Sequence, residues 1–321
     1  MKGKKVLLTG ALALLPALFF GQGELIKYGN FDQWIVRNIK ESGIIGGKTK
    51  TLYEVGPNAV WNNSKAYTNQ GGSPWATSNV MAKVAGITKT NTSVYREKRG
   101  NGYCACLKTH IEKCVVLGMV NIKVLAAGSL WLGSALEPVT STSNPMSKLS
   151  AGMPLARRPK AVCFDYKVQL SGQPNRIRET GFSRVTKVSG MDMPDVICIL
   201  QKRWEDANGN IYAKRVGTMV HRFSKNTGWV NNAQFPIQYG DISKKSGFQS
   251  YMGLIDGDDT KYCINSKGKN VPIREVGWAD ADETPTHIIL QFDSSYGGAY
   301  VGSVGTTLWV DNVRLVYSSY L

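Results

Sequence analysis

The side chain with the clearest chemical demand is Asp311. In Leu308-Trp309-Val310-Asp311-Asn312-Val313-Arg314-Leu315-Val316-Tyr317 it shares parity with Trp309, Val313, Leu315 and Tyr317, so a strand here carries an acid on its apolar side. A buried carboxylate needs a cation or several hydrogen-bond donors. Arginine is one partner that meets this need; calcium, which takes carboxylate and backbone oxygens, is another.

Other chemically suggestive stretches fall away when their spacing is tested. Gly43-Ile44-Ile45-Gly46-Gly47-Lys48-Thr49 looks like a phosphate loop, but the motif's first glycine falls at Ser42. His110, His221 and His287 are isolated and form no His-Glu-x-x-His, so no zinc site is encoded. Asp256-Gly257-Asp258-Asp259 has the charge of a calcium loop, yet its sixth position lacks glycine and its twelfth is Lys267, so a solvated turn is expected. Cys104 and Cys106 share one face of a strand, while Cys114, Cys163 and Cys198 lie in apolar runs; buried thiols are expected, with room for one or two disulfides.

The elements that must position these groups are strands. From Ala161 to Leu170, Val162, Phe164, Tyr166, Val168 and Leu170 alternate with Asp165, Lys167 and Gln169, which predicts one buried and one wet face. Val196 to Trp204 and Ile211 to Val220 flank Asp206-Ala207-Asn208-Gly209-Asn210, a hairpin signal because Asn-Gly favours positive φ. Strands are also expected at Ile288 to Phe292 and Thr306 to Tyr317, and two strands with a turn within Val115 to Gly133. Helical spacing is scarce, the best candidate being Asp32 to Ile39. Thr140 to Pro159, rich in Ser, Pro and Gly, reads as a long loop. The fold class is therefore all-β: a sandwich with long loops and little helix.

Composition fixes the setting. The 321 residues include 39 Lys and Arg, 23 Asp and Glu and six Cys, for a net charge of +16. Lys2, Lys4 and Lys5 precede an apolar run from Val6 to Phe20 and a Gly21-Gln22-Gly23 cleavage pattern. This predicts a signal peptide over residues 1–23 and export to the periplasm, cell surface or medium, because the run is short of the roughly 20 residues that span a bilayer. Residues 24–160 carry a net +11 and residues 161–321 only +2, so the first half presents a basic surface. The cations are scattered without a nucleic-acid motif, and an exported protein meets little nucleic acid; no nucleic-acid partner is expected.

Gly29-Asn30-Phe31-Asp32-Gln33-Trp34 with Leu308-Trp309-Val310-Asp311-Asn312-Val313-Arg314-Leu315 resembles the bracketing strands of secreted jelly-roll carbohydrate-binding modules. Ala126-Ala127-Gly128-Ser129-Leu130-Trp131-Leu132-Gly133 and Arg158-Pro159-Lys160-Ala161, leading into Phe164-Asp165-Tyr166-Lys167, resemble the putative carbohydrate metabolism domain (PCMD) family of secreted bacterial proteins. The resemblance spans nearly the whole mature chain. It implies a single β-jelly-roll over residues 24–321, built of two antiparallel sheets, with a role in glycan binding or processing. It also implies a structural calcium at Asp32 and Asp311, although Asn312 replaces the second Asp often found there.

Glycan recognition needs aromatic platforms outside strand cores, and Trp75, Trp229 and Tyr251 meet that description in the sequence. Three functions follow: a non-catalytic glycan-binding protein, which the sequence favours; a glycoside hydrolase or polysaccharide lyase; or a surface adhesin or structural component. Hydrolysis needs two carboxyl groups about 5 to 10 Å apart, for which Glu205 with Asp206, or Glu179 with Asp165, are available. The partner expected is carbohydrate, with the basic first half suited to an anionic glycan, alongside association with cell-surface glycan-uptake proteins.

Overall fold

In the computed structural model of the chain, residues 23–116, 120–140 and 144–318 are described. The signal segment expected at residues 1–23 lies outside them except for Gly23. Among the described residues no helix is long and apolar enough to cross a membrane.

The period-two pattern becomes strand almost throughout, in a jelly-roll β-sandwich. A six-stranded sheet runs in the order Val230–Pro236, Ala161–Gln169, Thr307–Val316, Gly102–Lys108 and Val94–Arg99, with Glu24–Leu25 paired to Thr307–Val316. A ten-stranded sheet has the path Leu149–Ala151, Ser129–Ala135, His287–Asp293, Asp195–Glu205, Ile211–Arg222, Asn270–Trp278 and Tyr262–Ile264. Trp75–Thr77, Met153–Pro154 and Gln238–Tyr239 pair beside that path. The expected hairpin forms, with Glu205 opposite Ile211 and the Asp206 carboxylate accepting from the backbone N–H groups of Asn208 and Asn210.

Pairing is not antiparallel everywhere. Ile211–Arg222 runs parallel to Asn270–Trp278, and Trp34–Lys40 parallel to Ala59–Trp61. The first of these is reached through a long excursion over residues 240–269, the kind of connection a parallel neighbour requires.

The core lies between the two sheets. Val162, Phe164, Leu308, Val310, Val313 and Leu315 from one meet Leu130, Val196, Cys198, Leu200, Leu290 and Phe292 from the other. Phe164 stacks on Phe235 at 4.7 Å and meets Phe292 edge-on at 5.0 Å. Each such side chain stabilises the fold by about 1.5–3 kcal/mol.

Three expectations about elements change. Asp32 to Ile39 is not helical: Trp34–Lys40 is a strand with neighbours on both edges, and Ile35 and Val36 suit an extended chain. The supposed loop from Thr140 to Pro159 contains Leu149–Ala151 and Met153–Pro154, which extend the ten-stranded sheet. In the last strand, register shifts against Ala161–Gln169 between Cys163/Asp165, where Asn312 has φ of 55°. That bulge inverts the parity, so Val310 and Val313 both enter the core while Trp309 and Asp311 point to the outer face.

Candidate functional site

Adjacent strands of the ten-stranded sheet end in one polar row. Ser129 pairs with Asp293, Asp293 with Asp195, and Asp195 with Arg222, so four strands place these side chains side by side. Their neighbours Leu130, Phe292 and Val196 belong to the core, which puts the row on the outer face. Asp195 is 3% exposed and Asp293 7%.

The Asp293 carboxylate is well supplied. Ser129 Oγ donates to Oδ1, and Gln291 Nε2 lies 3.0 and 2.8 Å from its two oxygens. Lys261, itself buried, donates to Gln291 Oε1 at 3.1 Å. Asp195 is less satisfied: its Oδ1 has no hydrogen-bond partner. Burial, then the charge of Asp293, drive the Asp195 carboxyl well above its ordinary range, more strongly than Arg222 and Lys261 pull it down. Burial also raises Asp293, against Lys261, Ser129 and Gln291. The two are direct cross-strand partners, and the charge of Asp293 adds to burial in keeping Asp195 protonated to higher pH.

Arg222 closes the row. Its guanidinium carbon lies 3.7 Å from the Tyr251 ring centre and 4.0 Å from that of Tyr296, while its buried Nε has no acceptor. Next to Gln291 and Lys261 is a cleft lined by Trp131, Met146, Leu149, Ala151 and Tyr262. The arrangement offers an aromatic edge, a guanidinium without an acceptor among the described residues, and an ammonium.

Residues 43–232 match the family described as "Putative carbohydrate metabolism domain". The chain belongs to this family. The assignment gives it a carbohydrate-related role, and the matched segment carries Asp195 and Arg222, while Tyr251, Lys261 and Asp293 lie beyond it. No curated protein matches the chain. Among solved structures it is similar to one described as a putative glycoside hydrolase from Bacteroides thetaiotaomicron VPI-5482. The two are 18% identical with a TM-score of 0.48, over 86% of this chain and 76% of that one.

Of the residues singled out in the sequence, Tyr251 alone reaches this family member's polar row. Trp75 is a correction: it is fully buried, meets Phe31 edge-on at 5.3 Å and donates its indole N–H to Lys27 O at 2.9 Å, so its ring is closed to any ligand. Trp229 and Asp311 lie together on the outer face of the six-stranded sheet. There Arg99 bridges Asp165 and Asp311, with one nitrogen 2.7 and 2.6 Å from their oxygens, and stacks 3.8 Å from the Trp229 ring centre.

Asp165 and Asp311 respond differently to that bridge. Burial works against the Asp165 charge, but the Asn232 N–H, the Asn312 amide and Arg99 outweigh it and hold the carboxyl below its ordinary range. Burial wins at Asp311, which rises to about 6 despite Arg99.

The calcium expected at Asp32 and Asp311 does not fit these surroundings. Asp311 is already neutralised by a guanidinium that a cation would face. Asp32 is exposed, accepting from the Tyr103 N–H at 3.0 Å and from Asn30 at 2.9 Å, and shares no partner with Asp311. Among the described residues no three acid, histidine or cysteine side chains form a metal-holding group.

The acid pairs considered for hydrolysis are also otherwise engaged. Glu205 accepts from Ser266, Asp206 caps its own turn, and Asp165 belongs to the Arg99 bridge. All six cysteines are free; burial raises the Cys104 thiol to about 12, which makes it a poor nucleophile at neutral pH.

Asp195 and Asp293 escaped the sequence reading because each stands at a strand end beside a turn. The available signal was parity: Asp195 alternates with Ile197 and Ile199, as Asp311 does with its neighbours.

Proposed function

We propose that the chain is an exported, non-catalytic glycan-binding protein whose ligand lies along Tyr251, Arg222, Asp195 and Lys261. The observation that carries this reading is the Arg222 guanidinium, with no acceptor among the described residues, stacked 3.7 Å from the ring centre of Tyr251, an aromatic residue that is 39% exposed. A sugar oxygen can accept from the guanidinium, and a sugar C–H face can cover the free side of the ring. The signal peptide expected from the sequence and the carbohydrate-related family support the same reading.

Binding is favoured over hydrolysis by the geometry of the acids. Asp195 and Asp293 are buried neighbours on adjacent strands, whereas hydrolases set their two carboxyl groups on either side of the scissile bond, about 5 Å or more apart.

A glycan array probed with the mature chain tests this. Oligosaccharide binding is expected, falling about tenfold in Tyr251→Ala and persisting in Trp229→Ala, with no reducing ends or unsaturated sugars released. Release of either product from a polysaccharide contradicts the non-catalytic reading.

A further inference from the structure

Resting on the reading that this face binds glycan, we infer that the glycan is acidic and that a sugar carboxylate docks on Arg222, with Lys261 as the second cation.

Arg222 is the decisive residue. It makes no ion pair or hydrogen bond among the described residues, although tyrosine rings lie 3.7 and 4.0 Å from its guanidinium carbon and Nε is buried. Arginine carries five N–H donors in a rigid plane and remains charged at all working pH values. The rings fix its orientation, and its donor edge is left for a ligand. A carboxylate matches that edge with two parallel hydrogen bonds, which a single hydroxyl cannot do.

Lys261 points the same way. It is 9% exposed and bonds the neutral amide of Gln291, but forms no ion pair among the described residues. The charges around this place are Arg222, Arg176 on the same Tyr296 ring, Lys261, and the Asp195 and Asp293 carboxyls. Three cations stand against two acids, one of them raised by burial, so the cluster has an excess of positive charge. A uronate carboxylate answers that excess. A neutral sugar leaves the guanidinium edge unpaired.

The test is calorimetric titration of the mature chain with oligogalacturonate, oligoglucuronate and oligomannuronate, each beside its carboxyl-reduced counterpart of equal length, and with a sulfated neutral oligosaccharide. At least one uronate should bind, with affinity falling tenfold or more on carboxyl reduction and also falling as salt rises. Arg222→Gln should remove the preference for the acidic form while the protein remains folded, and Arg222→Lys should restore part of it. Equal binding of acidic and reduced forms, or binding of the sulfated sugar alone, overturns the uronate assignment but leaves the glycan reading intact. If acidic, reduced and sulfated sugars all fail to bind, the glycan reading itself is overturned.

Discussion

Two pairs of aspartates, one on the outer face of each sheet, show how surroundings divide the same side chains into different roles. Asp165 and Asp311 are direct cross-strand partners, as are Asp195 and Asp293. Each pair also has an arginine stacked on aromatic rings. In the first pair Arg99 donates to both acids and to Asn231, closing the network. In the second, Arg222 has no hydrogen-bond acceptor among the described residues, and burial with the charge of Asp293 raises Asp195. The first is a clasp between strands; the second retains the unsatisfied groups that a ligand can use. A carboxylate pair thus says little about function until the hydrogen bonds of its cation are counted.

The largest effect that could break this contrast comes from Arg99→Ala. It leaves two nearly buried carboxylates facing each other and should cost about 2–3 kcal/mol, discounted from the cost of breaking a fully buried pair because Arg99 is partly exposed. Urea unfolding measures it, and glycan affinity of the folded fraction should be unchanged. A loss below about 0.5 kcal/mol would show that the clasp does not stabilise the sheet.

Trp229→Ala comes next, at about 1–2 kcal/mol, because the half-buried ring packs against Cys104, Cys106 and Trp309 as well as Arg99. Loss of glycan affinity without loss of stability would move the binding site to the six-stranded sheet.

Asp195→Asn should change stability in the opposite direction, and only at a pH above the usual aspartate range. In the unfolded chain an aspartate loses its proton near pH 4; the folded protein retains that of Asp195 to higher pH. Within that window the folded state binds more protons, so this carboxyl's contribution falls as pH rises. The variant should be more stable than the parent at pH 8 and show a shallower decline from pH 5 to 8 in thermal scans. An identical pH profile would mean that Asp195 ionises normally.

Much of the fold was legible in the residues. Alternation placed Ala161–Gln169, and Asn-Gly marked the hairpin, because both signals are local. Trp75 was illegible: its strand has only three residues after Gly-Gly-Ser-Pro, too few to display a period. Asp311 was half legible. The need for a partner was correct, and arginine had been one of the two candidates, but the bulge at Asn312 inverted its face. The site was hardest to foresee because Asp195, Arg222, Lys261 and Asp293 meet only through strand order, which no local pattern encodes.

Hydrogen exchange of the mature chain, with and without a bound uronate oligosaccharide, tests most directly which face holds the ligand. The account predicts slowed exchange over residues 250–262 and 219–223, with residues 94–101 and 229–232 unchanged. Protection confined to 94–101 and 229–232 would contradict it and make the Arg99 clasp the binding surface.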